Sequence, residues 1–379
     1  MPNRQLGSNR RRSVLALVGA AALLLALVLS ACGSSSSSSS SSTGGGGSTE
    51  EEGGSTKSGS EINIAVVSAT TTQNAFQEMT YGAEAAAEHE GVNINASAPN
   101  GVNPTQEVGQ FQAATHTSQD GITIATTAPE DFVRPYQQAT EEGIPVITMD
   151  SPPPEGSGVE TFVGNSNTEV GEILAKEMLK EIPANATGEI VFGNDIPGLV
   201  LLELRIQGME NVLKKERPNL KLVGPFNVGS EPTENYNNWN NLVKAHPGAV
   251  AYLAPGDQDA VSLYKIQKTT GEKFLVGACD VDPIALEAVQ NGYVYALGDP
   301  YHFMKGYISA SLLAQHAKEG KEIPKGWWNP GSGIVNKANV AEIIKREESQ
   351  ANRAEFFEPI AEEQLKDPSK YVKPISDLN

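Results

Sequence analysis

From residue 61 onward, short apolar, β-branched runs alternate with longer stretches of helical spacing, punctuated by Gly, Pro, Asn and Asp. Strands are expected at 62–67, 92–96, 121–125, 145–149, 161–163, 189–192, 220–223, 249–253, 273–278 and 294–297. Helices are expected between them, at 74–89, 104–117, 129–142, 167–181, 199–215, 233–245, 258–269, 283–291 and 300–318. Strands alternating with helices imply right-handed βαβ crossovers, and so parallel sheets with helices on both faces. So many strands exceed one comfortable sheet, and two similar α/β lobes are expected. The tail 339–379 is highly charged, with surface helices expected at 340–348 and 352–365. Packing on a lobe and partial disorder are both open for it.

The opposite pattern heads the chain. An uncharged apolar run, 14–29, follows Arg10, Arg11 and Arg12 and ends in Leu29-Ser30-Ala31-Cys32. A basic start, an apolar middle and small residues before a cut describe an export signal. Cysteine after Leu-Ser-Ala resembles the bacterial lipobox, whose cysteine is lipidated and becomes the mature N-terminus. Nine serines (34–42) and four glycines (44–47) come next. That order reads as signal peptide 1–31, lipid anchor at Cys32 and Ser/Gly-rich tether 32–60. Such a tether buries no apolar surface, should stay disordered, and spans about 30 Å r.m.s.. A single transmembrane helix is the competing reading, given the near-spanning length of the run. Processing fits the small residues, the cysteine and the tether better. Arg11-Arg12-Ser13 faintly resembles a twin-arginine signal, against an ordinary secretory one.

Charge narrows the partners. The 379-residue chain has a formal charge of −18, and loss of the signal removes four arginines and no acid, deepening it to −22. A body this acidic repels nucleic acid and anionic headgroups. With Cys32 lipidated, Cys279 is alone and no intramolecular disulfide is possible. Cys279 closes an expected strand and reads as a small buried filler before a nucleophile. A body of roughly 320 residues buries a large core without disulfides.

Ligands of open parallel sheets bind beyond the carboxyl ends of the strands. Asp150, Asp257, Asp280 and Asp299 each follow an expected strand, and the loop after the first strand holds Gln73, Asn74 and Phe76. Asp257, Asp299 and Asn74 have a plainer reading as helix N-caps, with Asp299-Pro300 as cap plus first-turn proline. Their collection on one edge favours a site. Arg205 sits on or beside the stripe Leu202, Ile206, Met209 and Leu213, where a desolvated guanidinium needs acceptors. A structural ion pair and a donor fork aimed into a cleft both satisfy it. Phe76 and Tyr301 stand where a ring can stack on a ligand. Trp239 reads as core, while Trp327-Trp328 either line the cleft or pack a lobe junction. No phosphate loop, dinucleotide turn, nucleophile elbow or His-Glu-x-x-His occurs, and His302 alone of five histidines nears the edge, as a packing or capping residue. An enzyme, a cofactor and a metal are therefore not expected, although carboxylates facing one arginine also suit a cationic ligand or Ca²⁺.

At GIPVITMDS (143–151) the sequence resembles the sugar-binding proteins of bacterial ABC importers, of the ribose-binding-like type. DGITIATTAP (120–129), FVGNSNTEVG (162–171), LRIQGM (204–209), KAHPGAVAYLAPGD (244–257), VGACDVDPIALEAVQNG (276–292) and GDPYHFMKGY (298–307) extend the likeness over about 61–345. It implies a type I periplasmic binding protein, with two Rossmann-like lobes on a three-strand hinge. The lobes would be 61–164 plus 299–327 and 165–298 plus 328–345, with 346–379 as a charged extension. Carried over by position, the ligand contacts are Asn74, Phe76, Asp150, Ser151, Arg205, Asp257 and Asp280, with Asp299 adjoining the hinge.

Departures bear on the ligand. Ribose binders have arginine where Ser151 stands, an asparagine where Gly256 stands and often glutamine where Gly298 stands; an aromatic near Ser230 is missing, and the helix motif ends in Met209. Asp150-Ser151 looks more like the subgroup that takes other sugars, deoxysugars, polyols or sugar-like signals. The resemblance implies a monomeric lipoprotein that delivers a small sugar or polyol to a membrane permease. A sensor-type binding protein and an extracytoplasmic α/β hydrolase are the alternatives.

Overall fold

The computed structural model describes residues 58–378. The expected export signal, Cys32 and most of the tether lie outside the described residues. The tether's expected end does not hold. Gly59–Glu61 is a 3₁₀ turn in which the Ser58 N–H donates to Glu61 Oε2, and Ser60 O accepts from Asn93 Nδ2. Residues 58–60 are thus part of the folded body.

The central strands form where β-branched and apolar runs are buried on both faces. Within the first lobe the strands are β1 (Asn63–Ser68), β2 (Asn93–Ser97), β3 (Gly121–Ala125), β4 (Val146–Met149) and β5 (Thr161–Val163), of which the edge strand β2 is largely exposed. Helices α1 (Asn74–Glu90), α2 (Pro104–Thr117) and α3 (Val133–Glu141) connect them. Asn103 starts α2 by accepting the Gln106 N–H on its side chain, ahead of Pro104, while Gly91 ends α1 in a left-handed turn. The expected helix at 129–142 opens as a 3₁₀ turn, Pro129–Phe132, before α3 begins.

A second lobe follows, with α4 (Asn167–Met178), β6 (Gly188–Asn194), α5 (Val200–Glu216), β7 (Leu220–Asn227), α6 (Pro232–Ala245), β8 (Ala251–Leu253), α7 (Asp257–Thr270), β9 (Val276–Cys279), α8 (Pro283–Gln290) and β10 (Ala296–Asp299). The chain then returns through α9 (His302–Glu319), β11 (Gly326–Trp328), β12 (Gly333–Asn336), α10 (Val340–Glu347), α11 (Gln350–Lys366) and β13 (Val372–Lys373).

One sheet has the order β13-β11-β5-β4-β3-β1-β2, the other β12-β10-β9-β8-β6-β7. Both are parallel except at one edge, where β13 runs antiparallel to β11 and β12 to β10. The three strands β11, β12 and β13 were not expected from the pattern. They are two to four residues long, too short for a clear apolar pattern, and β12 and β13 add antiparallel at the sheet edges. Each sheet is packed on both faces. Phe111, Phe132 and Tyr136 fill one side of the first sheet, and Met79, Phe303, Tyr307 and Phe357 the other. Trp239, Leu263 and Leu286 cover one side of the second sheet, Leu174, Met178 and Met209 the other.

Paired glycines fix the helices nearest the cleft. A Cβ on Gly82 of α1 would lie 1.9 Å from Phe303 O of α9, and one on Gly306 of α9 would lie 1.8 Å from Met79 O of α1. Gly171 of α4 and Gly208 of α5 repeat this, with 1.9 Å to Arg205 O and 2.0 Å to Thr168 O. Only a side chain of one hydrogen allows backbones so close.

The C-terminal tail is more than a surface extension. Val340 and Ile343 of α10 belong to the core of the second lobe, whereas Phe357 and Ala361 of α11 are fully buried in that of the first. The α10–α11 junction is thus a fourth passage between lobes, besides those after β5, β10 and β11. Trp327 Nε1 donates to Gly164 O, just after β5, at 2.6 Å, and Trp328 Nε1 to Gln364 Oε1 in the last turn of α11 at 2.9 Å. Trp328 belongs to the first sheet, through β11.

Candidate functional site

Two aspartates occupy matching positions. Asp150 directly follows β4 and Asp280 directly follows β9, and both have positive φ, 64° and 70°. Each N–H donates to the end of the next strand, Asp150 to Val163 O (3.0 Å) and Asp280 to Gly298 O (2.7 Å). A non-glycine residue in this region is strained and needs a surrounding structure that enforces it. The turns bring both carboxylates to a cleft between the sheets, about 440 Å³ of space partly open to solvent.

Phe76, Thr126, Thr127, Asp150 and His302 line the cleft from one lobe. Asp195, Arg205, Gly256, Asp257 and Asp280 line it from the other, with Ile196, Leu199, Leu201 and Leu202 as an apolar wall.

A chain of buried polar groups joins the two aspartates. Lys305 Nζ pairs with Asp150 Oδ1 and lies 3.1 Å from His302 Nδ1, and His302 Nε2 lies 2.8 Å from Asp280 Oδ1. Arg205 Nη1 reaches Asp280 Oδ2 at 3.2 Å and donates to Pro255 O at 2.8 Å, while Nε donates to Asn167 Oδ1 at 3.0 Å. Burial opposes ionisation of Asp150, but Lys305, His302 and Arg205 outweigh it and hold the carboxyl below its usual range. Asp280 is likewise lowered against burial, by Arg205 and His302. The ion-pair reading of Arg205 holds. Among the described residues its buried Nη2 has no hydrogen-bond partner.

Five of the sequence-derived residues line the cleft: Phe76, Asp150, Arg205, Asp257 and Asp280. Three stand behind it. Ser151 Oγ donates to Thr126 O at 2.8 Å. Asn74 is the first residue of α1; its N–H donates to Asp257 Oδ2 at 3.0 Å and its Nδ2 to Glu78 Oε1 at 2.6 Å. Asp299 ends β10 and pairs with Arg346 at 2.8 Å. It is no helix cap, because α9 starts at His302 behind Tyr301, whose φ is 51°. The Tyr301 ring meets Phe357 edge-on at 5.4 Å instead of facing the cleft. Asp257 also departs from the N-cap reading, since Gly256 holds that place in α7.

Lys305, Asn167 and Asp195 were missed, and His302, read as a packing or capping residue, lines the cleft. Lys305 carried a signal, the one charge in the run from Phe303 to Leu313. Asp195 had none beyond its place after β6. Cys279 is buried and free, its thiol pushed up to about 12 by burial, as suits a filler. Among the described residues no cluster of His, Cys, Asp and Glu is arranged to hold a metal ion.

Two doubly packed α/β lobes joined by several passages, with facing carboxylates in the cleft, define a type I periplasmic binding protein. Residues 64–322 match the model of the periplasmic binding protein domain, and the chain belongs to that family, whose members work outside the cytoplasm. It is 24% identical over 206 residues to the ribose import binding protein of Bacillus subtilis (strain 168), covering 54% of this chain and 65% of that one. The same identity holds over 243 residues with the ribose import binding protein of Salmonella typhimurium, covering 64% and 80%. An ABC transporter solute-binding protein from Burkholderia graminis, in complex with D-arabinose, superposes with a TM-score of 0.68 at 23% identity, covering 75% of this chain and 98% of that one. One from Actinobacillus succinogenes, with bound D-allose, gives 0.68 at 22%, covering 74% and 99%. No helix among the described residues is long and apolar enough to cross a membrane.

Proposed function

We propose that the chain captures a small sugar or polyol between its lobes and hands it to the permease of an ABC importer. The observation that carries this is the pair Asp150 and Asp280, turned from matching strand ends into one cleft beside Arg205, Asp257 and Phe76. Carboxylates accept from hydroxyl pairs through charge-assisted hydrogen bonds. Arg205 Nη2 donates to a ring or hydroxyl oxygen, and Phe76 covers a C–H face. Contacts made to both lobes at once favour the closed form, which is the form a permease can recognise. Asn74, Ser151 and Asp299 act from behind the wall by holding Asp257, the Thr126 turn and the hinge. Cleavage after Ala31 and lipidation of Cys32 anchor the protein, and residues 32–57 leave a monomeric body free to reach its permease.

The test is a thermal-shift screen of the full chain against pentoses, hexoses, deoxysugars, amino sugars and polyols. A ligand specific for the folded state raises the melting temperature by mass action. A rise with one stereochemical class, lost in Asp150→Ala, supports the reading. A flat result across all classes removes it.

A further inference from the structure

Asp195 stands where a side chain at position 256 would be. A Cβ on Gly256 would lie 2.3 Å from Asp195 Oδ2 and 2.4 Å from Oδ1, so glycine at 256 makes room for this carboxylate. Asp195 is 6% exposed, and Asp257, beside Gly256 in sequence, lines the same cleft. Among the described residues Asp195 Oδ1 and Asp257 Oδ1 are buried without a hydrogen-bond partner.

The other acids here are satisfied. Asp150 has Lys305, and Asp280 has Arg205 and His302. Asp259 accepts from Trp239 Nε1, Asn235 Nδ2 and Gly256 N. By contrast, the charged neighbours that act on Asp195 are Asp259, Asp280 and Asp257; Asp257 accepts the Asn74 N–H on Oδ2, but its charged neighbours are Asp280 and Asp282. Burial, reinforced by these like charges, raises both carboxyls well above their usual range. The cleft therefore has an acidic end with two orphaned acceptors, and an opposite requirement at Arg205 Nη2, an orphaned donor. A hydroxyl supplies one donor and no charge. An ammonium supplies three donors and the missing charge.

We infer that Asp195 is a specificity-determining residue, and that with Asp257 it selects a polyhydroxylated ligand bearing an amino group, an amino sugar in chemical class. This rests on the sugar-binding reading above.

Calorimetric titration of the full chain near pH 7 with matched pairs tests it: glucose and glucosamine, galactose and galactosamine, mannose and mannosamine. One amino sugar should bind at least about tenfold more tightly than its parent, the value of one charge-assisted hydrogen bond. Asp195→Asn should erase that preference while the variant still melts cooperatively. Gly256→Ala should erase it too, by pushing the carboxylate aside without removing its charge. A parent hexose that binds as tightly as its amine, or an Asp195→Asn variant that keeps the preference, overturns the inference and leaves sugar binding intact. Binding of neither series overturns both.

Discussion

The backbone N–H of Asn74 donates to Asp257 Oδ2 at 3.0 Å, so a carboxylate of the second lobe caps the first helix of the other lobe. Gln73, at the N-cap of that helix, makes no side-chain cap. The helix N-terminus carries orphaned donors and positive potential, and both are answered only while the lobes stay together. Asp257→Ala removes a cap of about 1 kcal/mol. Solution scattering of the unliganded variant should give a larger radius of gyration than the wild type. An unchanged radius means that this bond does not hold the lobes.

Arg205→Ala leaves Asp280 buried with His302 alone for company. Loss of one partner from a buried pair costs about 3–5 kcal/mol. Urea unfolding should register that loss, and a change under about 1 kcal/mol contradicts the network.

Glu107 of α2 accepts from Thr126 Oγ1 at 3.1 Å and is almost fully buried. Burial, with a smaller push from Asp131, raises its carboxyl to about 8 against the Thr126 hydrogen bond. The unfolded group titrates near ~4.3. The folded state therefore holds the extra proton between those values. Stability from this group is complete below the lower value and is lost as pH rises through the upper one. Glu107→Gln should stabilise the protein by on the order of 2 kcal/mol at pH 9 and have little effect at pH 4. Melting curves at the two pH values decide it, and an equal effect at both refutes it.

Gly306→Ala drives a methyl group into Met79 O and should cost about 1–3 kcal/mol. Gly109, on an exposed face of α2, has nothing within 4 Å of its Cβ position. Gly109→Ala should therefore gain about 0.5–1 kcal/mol from helix propensity. A differential scan of both variants should move the two melting temperatures in opposite directions.

Strands and helices through β10 were legible because the central strands, buried on both faces, leave continuous apolar runs, and turn residues mark the ends. Asp150, Asp257 and Asp280 were legible from one rule, that ligands gather beyond strand ends. What escaped was set by tertiary contact. Lys305 is tolerated in a buried helix only because Asp150 arrives from a segment 155 residues earlier. Asp195 has meaning only against the missing side chain of Gly256. Whether Asn74 caps its own helix or is capped from across the cleft cannot be decided along the chain.

The route of the chain also orders its assembly. All strands of the second sheet come from one stretch, Gly188 to Asn336, whereas the first sheet opens at Asn63 and is closed only by Lys373. Contacts of such long sequence separation form slowly. The lobe synthesised first is thus completed after the second, since its own edge strand β13 and the ring of Phe357 follow every strand of the second sheet in sequence.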